Sequence, residues 1–226
     1  NLIYSGNHYE AMDVCSFNKT RFVSGINPQS MSYGLLPGEK FEAPESVLTY
    51  SKKGYNGMSQ NMHKFVREHI VRGKWKYKER PVLLNSWEAN YFDITEEKLI
   101  NLAHAGKDIG IELFVMDDGW FGKRNDDTSS LGDWYVNKDK LPNGLAHLVD
   151  EINKIGLDFG IWIEPEMINK NSELYKKHPN WVLENPNAQH SEGRNQCMLD
   201  LTNNEVVDYM VKEISNILSS ANISYV

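Results

Sequence analysis

The stretch GIELFVMDDGW, residues 110–120, decides how the chain is read. Residues 111–117 form a near-continuous apolar run, which suits a strand buried on both faces. Two carboxylates, a glycine and an indole then end it. Both flanks are helical in pattern. Upstream, Thr95 is a good N-cap with Glu96 and Glu97 favouring the helix dipole, and Leu99, Leu102 and Ala103 follow at helical spacing until Gly110. Downstream, beyond a Gly/Asp-rich loop, LPNGLAHLVDEINKIG (141–156) predicts a helix that buries Leu145, Leu148, Val149, Ile152 and Ile155. Further out, residues 81–87 (PVLLNSW) predict an earlier strand and 159–164 a later one. A short helix over 172–177 and an extended CMLDL (197–201) follow. A last helix buries Val207, Met210, Ile214, Ile217 and Leu218, and a fourth strand opens at Ile223. Such alternation predicts an α/β fold, a parallel sheet covered by helices.

The same strand ends choose between a barrel and an open sheet. Gly119 and Gly122 in DDGWFG lack the spacing of a dinucleotide fingerprint. Instead acids and indoles gather where strands finish: Trp87, then Asp117 and Asp118, then Trp162, Glu164 and Glu166. In a (β/α)8 barrel those ends converge on one face, where the active site lies. The expectation is therefore the first half of a (β/α)8 TIM-type barrel over residues 81–226.

Residues 1–57 read differently. FVSGI (22–26), MSYGLL (31–36) and SVLTYS (46–51) are strand-like runs separated by Asn27-Pro28 and Pro37-Gly38-Glu39, predicting the final strands of a β-sandwich. Residues 58–80 predict a helical connector, with Met58, Met62, Phe65, Val66 and His69 at helical spacing and facing the body of the protein. The β-branched and aromatic run at 223–226, directly after a helical pattern, predicts that the chain is a segment of a longer polypeptide.

Composition narrows the function classes. A formal charge of −7 argues against nucleic acid, because phosphate binding needs a basic stripe. The one basic cluster, RGKWKYKER (72–80), reads as a solvated connector. Cys15 and Cys197 are too few for a disulfide framework, and no Cys/His spacing suits zinc. No run of about 20 apolar residues predicts a membrane span. NLIYSGNHYEAMD has neither a basic nor an apolar leader segment, so a cytoplasmic setting is the expectation.

Carboxylates flanked by indoles suit a sugar. An ionised carboxylate accepts strongly from hydroxyl groups, and the C–H faces of a sugar lie on aromatic rings. Asp117 and Asp118 alternate across a strand unless the chain turns, and Gly119 supplies that freedom. Two other readings stand beside this one: a hydrogen-bonded turn, or a hard cation held by Asp117, Asp118, Glu164 and Glu166. Trp162 points opposite to Ile161 and Ile163, as a pocket wall or as core. Glu164, held extended before Pro165, shares its face. Trp87 is wall or core. Arg194, in SEGRN (191–195), is a fork for hydroxyls or a solvated charge. Trp120, Trp134 and Trp181 read as structural or rim residues.

Taken together, LLNSWEANYFDITEEKL (83–99), GIELFVMDDGWFGKRNDD (110–127), LGDWYVN (131–137), LPNGL (141–145), GLDFGIWIEPEM (156–167) and GRNQCMLDL (193–201) resemble glycoside hydrolase family 36, the bacterial α-galactosidases. The upstream residues 22–51 resemble the end of that family's N-terminal β-sandwich. The resemblance is collinear and covers nearly the whole chain. It implies that Asp117 and Asp118 bind hydroxyls of a terminal galactose, that Trp87 and Trp162 form pocket walls, and that Arg194 reaches the sugar from its loop. It implies a retaining mechanism on melibiose- or raffinose-type substrates, with two carboxyl groups about 5 Å apart and no metal or organic cofactor. Family members continue into a Lys-Trp-Asp run that holds the nucleophile, which is therefore expected just after Val226, with the acid/base Asp further on. No catalytic carboxylate is expected within this chain, and a homo-oligomeric parent enzyme is. The rival readings are a transglycosylase of the same family, a non-catalytic galactose-binding fragment and a metal-dependent barrel hydrolase.

Overall fold

Thr20 faces Val14 across the tight turn of a hairpin in the computed structural model, which describes residues 7–29, 31–184 and 192–226. The chain divides between Glu79 and Arg80 into two units. In the first, β1 (His8–Val14) pairs antiparallel with β2 (Thr20–Ile26). Asn18 closes the turn at φ 58°, a left-handed conformation that Asn tolerates. Asp13 lies opposite Arg21 and accepts from its guanidinium. The runs MSYGLL and SVLTYS, expected as strands, are irregular apart from a single bridge at Ser46. A β-prone run becomes a strand only along a continuous partner edge. α1 (Gly54–Phe65) starts earlier than the apolar spacing indicates and runs into a π-helical turn, Val66–Ile70. Along its apolar stripe Met62 and Phe65 are half-covered, and Met58, Val66 and His69 are exposed.

The second unit is α/β. Its chain order is β3 (Leu83–Asn85), α2 (Trp87–Asn90), α3 (Glu96–Asp108), β4 (Leu113–Met116), α4 (Leu145–Ile155), β5 (Asp158–Ile161), β6 (Met167–Asn169), α5 (Glu173–Lys177), β7 (Gln196–Met198) and α6 (Asn204–Ser219). β3, β4 and β5 form a parallel sheet in that order, with Leu83 beside Leu113 and Leu113 beside Asp158. The sheet continues past β5, since Tyr225 bridges Gly160 in parallel and its carbonyl accepts from Ile161 N–H. β6 and β7 pair antiparallel outside this sheet.

All four residues of β4 are buried, as a doubly covered strand requires. The helices behave as their sequences indicate at most positions. The Thr95 hydroxyl caps α3 by accepting from Lys98 N–H, Ser172 caps α5 from Tyr175 N–H, and α4 ends on Gly156 in the left-handed region. In α6 the buried residues are Val206, Met210 and Ile217, with Val207, Ile214 and Leu218 half-covered. The strands are shorter than expected. β3 stops at Asn85 because the Asn85 side chain accepts from Trp87 N–H at 2.7 Å, turning the chain into α2. Trp87 is thus a helix residue and not a strand end. Among the described residues, no helix is long and apolar enough to cross a membrane.

Gly160 is fixed by close approach. A Cβ there would meet Tyr225 Cδ1 at 2.9 Å and Val115 Cγ2 at 3.0 Å, side chains from the two neighbouring strands. Gly160→Ala is expected to destabilise by about 1–3 kcal/mol through overpacking, read as a lower urea midpoint with an unchanged slope.

Candidate functional site

The C-terminal end of β4 is built from short side-chain loops. Ser86 N–H donates to the Val115 carbonyl and the Ser86 hydroxyl accepts from Asp117 N–H, tying the end of β3 to the end of β4. Asn85 Nδ2 donates to Asp117 Oδ2 at 2.6 Å, and Asp118 N–H donates to Asp117 Oδ1 at 2.8 Å. Asp117 is half-buried, with both oxygens oriented and part of its surface open.

Asp118 has a different environment. Only 5% exposed, it accepts from Arg124 Nε and Nη2 at 2.9 and 2.8 Å in a two-pronged ion pair, and from Gly119 N–H at 2.7 Å. The turn that permits this needs Gly119, which sits at φ 101° with Phe92 Cα only 3.3 Å from where a Cβ would lie. Arg124 is fully buried. Its Nη1 donates to the Ser129 carbonyl and to Asn169 Oδ1, and its guanidinium lies 5.3 Å from the Phe92 ring centroid. Lys140 adds a second cation, donating to the carbonyls of Phe92, Gly119 and Arg124. Burial lowers its pKa, and the charges of Asp118 and Asp93 oppose that.

The indoles frame the carboxylates. Trp162 follows β5 and its N–H donates to the Met116 carbonyl, which places it beside Asp117. Its carbonyl accepts from Trp120 Nε1, and its half-buried ring stacks near Phe121 at 6.3 Å. One side is packed and part is open. Trp87, also half-buried, meets Tyr91 and Phe92 edge-on at 5.2 and 5.0 Å. Trp120, Trp134 and Trp181 are core residues.

Arg194 and Asn195 are the two central residues of a hairpin turn between Gly193 and Gln196, which exchange both backbone hydrogen bonds. Both central residues are left-handed, φ 53° and 60°, the geometry of a type I′ turn. The turn presents Arg194 to solvent. Its charge reaches Glu164, whose pKa is raised by burial first and by Glu166 second, and is held back by Arg194 and Arg124.

Asp117, Asp118 and Trp162 are therefore adjacent, and Trp87 is linked to Asp117 through Asn85. Arg194 joins them through a chain of polar groups. Among the described residues, no three of His, Cys, Asp or Glu are grouped to hold a metal ion, so the cation reading of Asp117, Asp118, Glu164 and Glu166 has no geometric basis. Arg124, Asn169 and Lys140 escaped the sequence reading. The only local signal for Arg124 is its position six residues after a buried-strand Asp, which says nothing about direction.

The melibiase family model matches residues 40–226. The chain belongs to the melibiase family. Among curated melibiase relatives, α-galactosidase AgaA of Geobacillus stearothermophilus is 52% identical over 225 residues, spanning all of this chain and 31% of AgaA. The bifunctional α-galactosidase/sucrose kinase AgaSK of Mediterraneibacter gnavus is 46% identical, again over all of this chain and 24% of its own length. Solved structures agree. The family 36 α-galactosidase AgaB of G. stearothermophilus superposes with a TM-score of 0.94 at 53% identity, over 99% of this chain and 31% of AgaB. A variant of AgaA in complex with raffinose superposes at 0.95 and 52% identity, with the same coverage. This melibiase chain thus has the α/β fold of glycoside hydrolase family 36 and spans about 31% of the AgaA chain.

Proposed function

We propose that the whole protein is a retaining α-galactosidase acting on raffinose- and melibiose-type oligosaccharides, and that this chain supplies galactose-binding groups to its pocket. The observation that carries the reading is the half-open Asp117 carboxylate beside the half-open Trp162 ring, at the end of a buried parallel strand. A sugar needs that combination of charged acceptor and aromatic face. The AgaA structures with raffinose and with stachyose make the substrate class the natural one. On this reading residues 81–226 belong to the first half of a (β/α)8 barrel, residues 1–57 end a β-sandwich and 58–80 connect them. Strand order in the sheet follows chain order, as a barrel requires.

The roles divide by environment. Asp117 accepts from galactose hydroxyls directly. Asp118 presents a narrow exposed edge whose charge is fixed by Arg124. Trp87 and Trp162 supply walls, and Arg194 supplies donors from its turn. Neither carboxylate suits a nucleophile, since the donors on their oxygens stabilise the resting anion. The two-step displacement on a retaining pathway is assigned to carboxylates other than these. The chemistry invokes no metal or cofactor. A cytoplasmic, oligomeric enzyme completes the proposal.

The whole protein is expected to release phenol from an aryl α-galactoside, with the α-anomer of galactose as first product by NMR and rates unaltered by a chelator. Much faster turnover of α-glucosides would overturn the substrate class, and a β-anomer as first product would overturn retention. Excess sugar acceptor separates hydrolysis from transglycosylation: new disaccharide replacing free galactose marks the latter.

A further inference from the structure

We propose that Asn169 is a positioning residue that holds Asp118 and Arg194 in one register on the sugar; the inference rests on the galactose-site reading above. Asn169 closes β6 and is completely buried. All four hydrogen-bonding positions of its amide are occupied. Oδ1 accepts from Arg124 Nη1 at 3.0 Å and from Leu131 N–H at 2.8 Å. Nδ2 donates to the Asn195 carbonyl at 2.7 Å and to the Asp127 carbonyl at 3.3 Å. Donors face the oxygen and carbonyls face the nitrogen, so the amide has a single admissible orientation. A flip would set donor against donor and acceptor against acceptor.

The two strongest branches lead to the two sides of the site. Through Oδ1 the amide holds the Arg124 fork, whose other edge grips both oxygens of Asp118. Through Nδ2 it holds the Asn195 carbonyl, and Asn195 shares the left-handed turn that carries Arg194. Two adjacent L-residues at positive φ persist only when the surroundings over-determine them, and the Asn169 bond is one of those determinants. β6–β7 pairing supplies another, with Asn169 opposite Gln196. The exposed Arg194 side chain is therefore aimed from a backbone anchored in the same amide that orients the buried carboxylate.

The near-isosteric Asn169→Asp separates the branches. A carboxylate still accepts from Arg124 and Leu131, but its second oxygen faces the Asn195 and Asp127 carbonyls as acceptor against acceptor. Arg124→Lys separates them from the other side, keeping a cation beside Asp118 while losing the bond to Asn169.

The test uses the whole protein and an aryl α-galactoside. Asn169→Asp and Asn169→Ala are expected to lower kcat/KM about ten- to hundred-fold, as small displacements of positioned groups do, with kcat falling as well as KM rising. The decisive readout is a double-mutant cycle between Asp118→Glu and Arg194→Lys. In the otherwise native protein their effects on kcat/KM should be non-additive, and in the Asn169→Asp or Arg124→Lys background they should multiply independently. Folded Asn169 variants with native kinetics would overturn the proposal, as would coupling that survives them. Variants that all fail to fold would assign Asn169 to stability alone and also overturn it. Absence of turnover by the unaltered protein would instead sink the galactosidase reading itself, which makes the two failures distinguishable.

Discussion

Replacing Arg124 by methionine is expected to destabilise the protein by about 3–5 kcal/mol, the cost of leaving one partner of a buried ion pair without the other. The pair is almost wholly enclosed: Arg124 is fully covered and Asp118 is 5% exposed. Methionine restores much of the side-chain volume beside Phe92 and Phe121, so packing alone does not account for a loss of that size. What remains is an anion with one backbone donor, at Gly119, where it had three donors. The Ser129 carbonyl and Asn169 Oδ1 lose their partner at the same time. The discriminating control is Arg124→Met combined with Asp118→Leu. With no charge left to desolvate, the double variant should recover a large part of the lost stability while binding no galactoside. Urea denaturation of the three proteins decides it. Equal losses in the single and double variants would show that the pair's charge is irrelevant to folding.

The second large effect concerns turnover. Asp118→Ala in the whole protein is expected to reduce kcat/KM about ten- to hundred-fold, the value of one charge-assisted hydrogen bond in a closed site, and to lower stability as well because Arg124 is orphaned. Asp117→Ala is expected to give a kinetic loss of the same order with much less destabilisation. Asp117 is half-buried, and its truncation opens space from which water can reach Asn85 Nδ2 and Asp118 N–H. Measured together, kinetics and thermal midpoints separate the two aspartates by environment. Native kinetics for either variant, with folding intact, would leave that carboxylate as a turn residue only.

The long helices of the second unit and their alternation with strands were legible in the sequence because burial imposes a period. Leu145, Leu148, Val149 and Ile152 repeat at helical spacing and are all buried, and residues 113–116 are apolar throughout and buried throughout. Strand ends were legible only roughly. Nothing in the apolar pattern of residues 81–87 reveals that the Asn85 side chain intercepts Trp87 N–H and starts a helix there. The β-prone runs at 31–36 and 46–51 misled for the converse reason, since pairing is a property of two segments and sequence shows one at a time.

Asp117, Asp118, Trp87 and Trp162 stand out in the sequence because they interrupt or follow apolar runs. Arg124 and Asn169 do not. A single cation in a polar loop has the same local signature whether solvated or buried, and its burial depends on Asp118, Asn169 and Phe92 converging from separate segments. The family resemblance names candidates for the groups that face a sugar, and the structure shows what holds Asp118 and the Arg194 turn in place.

The order of the sheet bears on how the chain is made. β4 pairs with β3 and β5 with β4, in each case the sheet strand synthesised just before it, and Tyr225 then joins β5. A nascent chain emerging from the ribosome N-terminus first can therefore add each strand to an edge that already exists, with no need to wait for a distant partner. Domains that form from early-emerging segments in this way begin to fold during translation. Connections that stay local in sequence also keep the loop-closure entropy of each addition small. The close fit at Gly160 lies where Tyr225 joins the sheet, so an added methyl there would crowd the seam that the last strand must close.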